Sequence, residues 1–154
     1  MMIRCVLILV VGPLFAADGP KPGANPAGDL EGLRGTWVTV SLVNNGRTLV
    51  DETSPPTTTG RITKLAYNGN SWMVRLGDKA VATGITKIDS TKTPKEIDVM
   101  DESGMKNART QLGIYKLDGD TYTYCVAPPG KPRPTEFASK EGSRHSLVVS
   151  KREK

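Results

Sequence analysis

The sequence is short of the residues on which small catalytic and cross-linked proteins depend: of 154 residues, two are cysteine, one is histidine and eight are aromatic. Cys5 lies in an N-terminal apolar segment, and once that segment is removed Cys125 stands alone. No internal disulfide is then available, which excludes a disulfide scaffold. Cys125, in Thr-Tyr-Thr-Tyr-Cys-Val-Ala, reads as a packed small hydrophobe. A single thiol and a single imidazole also fall short of a closed zinc site. The histidine, His145, sits between Ser143 and Ser146. Catalytic partners must converge in space around a third, orienting group, so this local Ser/His proximity does not make a nucleophile and base. His145 reads instead as a loop residue ahead of the last strand.

Catalytic motifs are missing as well. There is no G-x-S-x-G, no H-E-x-x-H, no P-loop and no G-x-G-x-x-G. Carboxylates pair at Asp51/Glu52, Asp98/Asp101 and Asp101/Glu102. On a strand, Asp98 and Asp101 face opposite sides, which makes them poor partners for acid–base work. Asp118 and Asp120 are better explained by the turn they flank. With no convergent nucleophile, base or metal set, the expectation is a protein that is not an enzyme and needs no cofactor.

Long apolar runs are confined to the first residues. Fourteen of the first 17 positions are hydrophobic, leaving 43 in the other 137 residues, about 31%. That density suits one modest domain and excludes a membrane bundle. Residues 1–17 read as a signal peptide: Arg4 gives a positive start, Cys5–Val11 an apolar run, and Ala16-Ala17 a small-residue cleavage site. The run is shorter than the roughly 20 residues needed to span a bilayer. Nor does Cys5 fit a lipid-attachment site, because it precedes the apolar run. The expectation is export to the periplasm, the cell envelope or the exterior, with no transmembrane segment in the mature chain.

Residues 18–28 hold three prolines and three glycines, too little apolar surface to order themselves, and read as a flexible leader. Asp29 is the expected N-cap of a single helical turn through Leu33. From Gly35 the grammar is β. Asn45-Gly46, Asn68-Gly69-Asn70, Gly77-Asp78 and Asp118-Gly119-Asp120 are hairpin signals between Val-, Ile- and Thr-rich runs. Alternation is clearest at Trp72/Val74/Leu76 and at Tyr122/Tyr124/Val126. Eight or nine short strands are expected, with a further short piece at Phe137–Ser139. Turns recur at the spacing of an all-β barrel or sandwich, and sequential connections favour antiparallel neighbours joined up-and-down. The predicted architecture is an all-β, antiparallel up-and-down barrel of about eight strands over residues 29–154.

Charge is unevenly placed. Thirteen basic residues balance thirteen acidic ones from Asp18 to Gly130, so the mature excess comes from the seven basic and three acidic residues of Lys131–Lys154. That tail suits an anionic surface or polymer, or the solvated edge strand that Lys commonly protects. No aromatic stacking platform is interleaved with it, and nucleic acid is not an expected partner.

The aromatic residues carry the functional expectation. Trp72, Tyr115, Tyr122 and Tyr124 fall on strands, where such rings either line a small-molecule cavity or fill the barrel. Two readings follow. In one, the chain is a binding module holding a small, partly apolar ligand on those four residues. In the other, a filled barrel contacts an envelope protein or surface polymer through the 128–137 loop. There Lys131, Arg133, Glu136 and Phe137 form the candidate patch, stiffened by prolines. A monomer is expected in either case.

Gly35-Thr36-Trp37, opening the first strand after a helical turn, resembles the G-x-W start of lipocalins. LRGTW (33–37), TPKEIDV (93–99), LGIYKLDGDTYTYC (112–125), APPGKPRPTEF (127–137) and the terminal LVVSKREK occur in the order seen in the lipocalin-like domain family of planctomycetal secreted proteins. The resemblance implies a lipocalin-like barrel of uncharacterised activity. It also implies that Trp37 caps the closed end, with Lys151 or Arg152 over it and Gly35 leaving room for the indole. It transfers no catalytic residue. The chain departs from true lipocalins in lacking a cysteine pair to tie down its C-terminal segment and a long helix before the last strand.

Overall fold

The computed structural model describes residues 26–51, 53, 63–103 and 109–154. The expected signal peptide, residues 1–17, and residues 18–25 of the expected leader lie outside them. Helix α1 (Pro26–Leu33) leads into nine strands: β1 (Gly35–Asn44), β2 (Arg47–Val50), β3 (Thr63–Asn68), β4 (Ser71–Leu76), β5 (Lys79–Asp89), β6 (Lys95–Asp101), β7 (Thr110–Asp118), β8 (Thr121–Val126) and β9 (Ser146–Arg152). Turn chemistry sets most of these boundaries. Asn45 and Gly46 both adopt positive φ, 50° and 79°, as a two-residue hairpin requires. Gly69, Gly77 and Gly119 supply the left-handed residue of three more.

Each strand pairs antiparallel with its neighbour, and β9 returns to pair with β1. β1 carries β9 along one side. Its other side is shared, with β3 along Gly35–Val38 and β2 along Leu42–Asn44. Eight strands therefore close an up-and-down barrel, and β2 flanks it at one end. Two irregularities set which side chains point inward. In β1 the register with β9 slips between Thr39 and Ser41, so one extra residue shifts the alternation and brings Leu42 inside along with Trp37 and Thr39. In β5 a slip opposite Val74/Arg75 leaves Val81 out of the pairing and 42% exposed.

Helix α1 closes one end. It starts three residues before the expected N-cap, because proline suits the first helical turn. Asp29 consequently sits inside the helix, and its carboxylate accepts hydrogen bonds from Tyr115 (2.6 Å) and Lys95 (2.7 Å). Leu33 and Trp37 are fully buried in a cluster with Leu65, Tyr67, Trp72, Ile97, Tyr115 and Tyr122. The indole N–H of Trp37 donates to the Leu33 carbonyl at 2.7 Å, satisfying one of the carbonyls that a helix end leaves without a partner. Arg152 lies 4.2 Å from the Trp37 ring centroid and donates to the carbonyls of Gly32 and Arg34. Gly35 sits at φ 116°, a backbone conformation that residues with a Cβ rarely adopt, and a Cβ there would stand 3.2 Å from the Arg152 guanidinium. The room that Gly35 leaves thus serves the arginine and not the indole.

The segment from Ala127 to His145 crosses the outside of the barrel without forming a strand, Phe137–Ser139 included. Its backbone finds local partners instead: Ala138 N–H donates to Glu136, and the Ala138 carbonyl accepts the Cys125 thiol.

Candidate functional site

At the end opposite α1 the barrel is not filled. A cavity of about 300 Å³ lies inside it, at the low end of ligand-pocket sizes. Register gives its vertical order. Thr63, Gln111 and Ser146 stand at strand ends around the mouth. Leu42, Leu65, Val74, Val99 and Val148 form apolar walls. Tyr67, Trp72 and Tyr124 line its floor; Tyr67 and Trp72 belong to the buried cluster around Trp37, and Tyr124 packs against it. Two glycines let side chains of the lining pack tightly against neighbouring backbone. A Cβ at Gly84, which pairs with Trp72, would approach that ring to 2.5 Å and the Met100 carbonyl to 1.9 Å. A Cβ at Gly113 would meet Val126 at 2.6 Å.

The four ring residues singled out in the sequence divide between two layers. Trp72 and Tyr124 line the cavity. In the strand order of the closed barrel, β4 and β8 are four steps apart in either direction, so these two rings come from opposite walls. Tyr122 and Tyr115 are buried below or beside the cavity and belong to the closed end. Tyr122 stands 5.5 Å from the Trp37 ring, and Tyr115 is bound to Asp29. Tyr67, which the sequence reading passed over, joins the layers: it lines the cavity, and its hydroxyl shares a 3.2 Å hydrogen bond with that of Tyr122. The Leu65/Tyr67 alternation just before Asn68-Gly69 was the signal for it.

Burial holds the phenols in their neutral form. The Tyr67 hydroxyl is pushed up to about 12, with its hydrogen bonds to Tyr122 and Thr86 partly opposing the shift. Tyr124 and Tyr122 are raised as well, again chiefly by desolvation. Trp72 Nε1 is committed to the Ile85 carbonyl at 3.1 Å. The Tyr124 hydroxyl and the Gln111 amide have no hydrogen-bond partner among the described residues. No Asp, Glu, Lys or Arg lines the cavity among those residues. The site therefore offers apolar walls, two facing rings and a few uncommitted neutral donors and acceptors, a set suited to holding a molecule.

The candidate interaction loop is drawn onto the barrel. Arg133 donates to the carbonyls of Ile97 (3.0 Å) and Gly113 and to the Asp98 carboxylate (2.7 Å), with Glu96 3.3 Å from its Nε. Phe137 lies under Lys116, whose ammonium is 5.4 Å from the ring centroid. Glu136 pairs with Lys140 on the surface, and Lys131 is exposed. His145 acts through its main chain, its carbonyl accepting from Asn45 N–H and Ser139 Oγ. Burial raises the Cys125 thiol. Among the described residues no group of three or more His, Cys, Asp or Glu side chains is placed to hold a metal ion, and no helix is long and apolar enough to cross a membrane. No protein-family model, curated protein or solved structure matches this chain.

Proposed function

We propose that this chain is an exported β-barrel module that binds a small, partly apolar ligand in the cavity opposite helix α1. The observation that carries the reading is the unfilled space of about 300 Å³ between Trp72 and Tyr124 in a barrel whose other end is tightly packed. Export rests on the signal-like residues 1–17. Kinship with lipocalin-like secreted domains is part of the same proposal, supported by Arg152 stacked on the G-x-W tryptophan. The loop reading has less support, since Arg133 spends its donors on the barrel.

Native mass spectrometry of the mature protein, after exposure to a mixed lipid and metabolite extract, tests the reading. A bound species is expected, and it should be lost from a Val74→Trp variant that fills the cavity. Uniformly ligand-free protein refutes the binding function. Fractionation of cells expressing the full chain, with and without residues 1–17, tests export.

A further inference from the structure

Resting on that reading, we infer that the cavity selects an uncharged compound of one substituted aromatic ring, bracketed by Trp72 and Tyr124 and anchored by a hydrogen bond to the Tyr124 hydroxyl. Size is the first argument. A cavity of roughly 150 Å³ accommodates benzene, and liquid water occupies about 30 Å³ per molecule. The 300 Å³ found here has room for a ring with substituents and is small for an extended acyl chain. Shape is the second. Two aromatic side chains reach in from opposite walls, and a flat ring between them gains stacked or edge-on contacts on both faces.

Charge is the third argument. No ionised side chain lines the cavity among the described residues, so a carboxylate or ammonium placed there would leave water without a counter-ion. Polarity is the fourth. Three inward polar groups near the cavity are already committed: Trp72 Nε1 to Ile85, the Tyr67 hydroxyl to Tyr122, and Ser146 Oγ to Asn44. Among the described residues the Tyr124 hydroxyl is not, and neither are the Thr39 and Thr63 hydroxyls or the Gln111 amide; of these, only the Tyr124 hydroxyl is carried by one of the two bracketing rings. A ligand hydroxyl or amide meeting Tyr124 would satisfy both partners, whereas a bare hydrocarbon would leave that hydroxyl unpaired.

Calorimetric titration of the purified protein with 4-methylphenol, toluene and 4-methylbenzoate separates these contributions. All three share a ring and differ in polarity and charge. The expected order is 4-methylphenol over toluene, with 4-methylbenzoate at least about tenfold weaker than the phenol. Tyr124→Phe keeps the ring and should weaken 4-methylphenol by about three- to tenfold, the worth of one hydrogen bond, while leaving toluene unchanged. If Tyr124→Phe fails to fold, the unsubstituted protein still decides: an affinity for 4-methylphenol no greater than for toluene overturns the hydrogen-bond anchor. Binding of 4-methylbenzoate or decanoate in preference to 4-methylphenol overturns the inference while leaving a ligand-binding cavity in place. Failure of every probe also overturns it. The broader reading falls only if the extract experiment is blank as well.

Discussion

Trp37 is the residue whose removal most directly tests how the closed end is built. Replacing it with alanine withdraws a fully buried indole from between Leu33, Tyr122 and Arg152. Truncation of a buried tryptophan costs about 3–5 kcal/mol through lost transfer energy and the cavity left behind. Two further losses are specific to this site. The Leu33 carbonyl forfeits its 2.7 Å donor, a change of about 1 kcal/mol. Arg152 forfeits a ring contact of about 0.5–1 kcal/mol, though it keeps the helix-end carbonyls of Gly32 and Arg34. These contributions share atoms and do not add fully, so the expected loss is about 4–5 kcal/mol, a large part of the 5–15 kcal/mol typical of a domain. Trp37→Phe retains most of the ring and loses the N–H, and should cost about 1–2 kcal/mol. Trp72→Ala should cost less than Trp37→Ala, because Trp72 borders space that is already open and is 8% exposed. Urea unfolding followed by circular dichroism ranks the three. Equal losses for Trp37→Ala and Trp72→Ala, or a Trp37→Ala loss under about 2 kcal/mol, would refute the account of Trp37 as the plug.

Gly84→Ala should destabilise the barrel by about 1–3 kcal/mol or more, because its Cβ meets backbone at 1.9 Å and the Trp72 ring at 2.5 Å; thermal unfolding measures this, and a neutral outcome would show that β5 yields easily there. Arg133→Ala should free the 127–145 segment, costing about 1–3 kcal/mol and raising amide exchange at Ile97 and Gly113; Arg133→Lys should rescue little, because one ammonium cannot serve acceptors arranged for a planar fork. Alkali should expose the tyrosine cluster. The Tyr67 hydroxyl rises from 10.0 to about 12 on folding, so the native state keeps protons that the unfolded chain releases. Its contribution to stability is fully present below pH 10 and is lost as the pH climbs from there towards 12. Ultraviolet titration should show tyrosinate forming together with unfolding, and independent ionisation near pH 10 in a folded protein would contradict the buried placement.

The sequence alone determined the strands and the direction of the chain between them. Asn45-Gly46 and the glycines at 69, 77 and 119 accept positive φ where other residues resist it, and the alternating runs between them fit only a pleated strand. Local chemistry of that kind acts over a few residues and is legible without a fold. The same local reading marked Trp72 and Tyr124 as rings of interest, whereas the plug role of Trp37 was implied by the G-x-W resemblance. Strict alternation failed in β1, where one extra residue turns Leu42 instead of Ser41 inward. Whether a bulge forms depends on the partner strand, and β9 lies about a hundred residues away. The same distance hid the division of the tyrosines. Tyr122 and Tyr124 share a face of one strand, yet Trp37 and Tyr67 from other strands seal the first while the second borders open space. Arg133 resembled a surface contact in sequence because its acceptors are main-chain carbonyls of β6 and β7. Those partners exist only once the sheet has brought the two strands together.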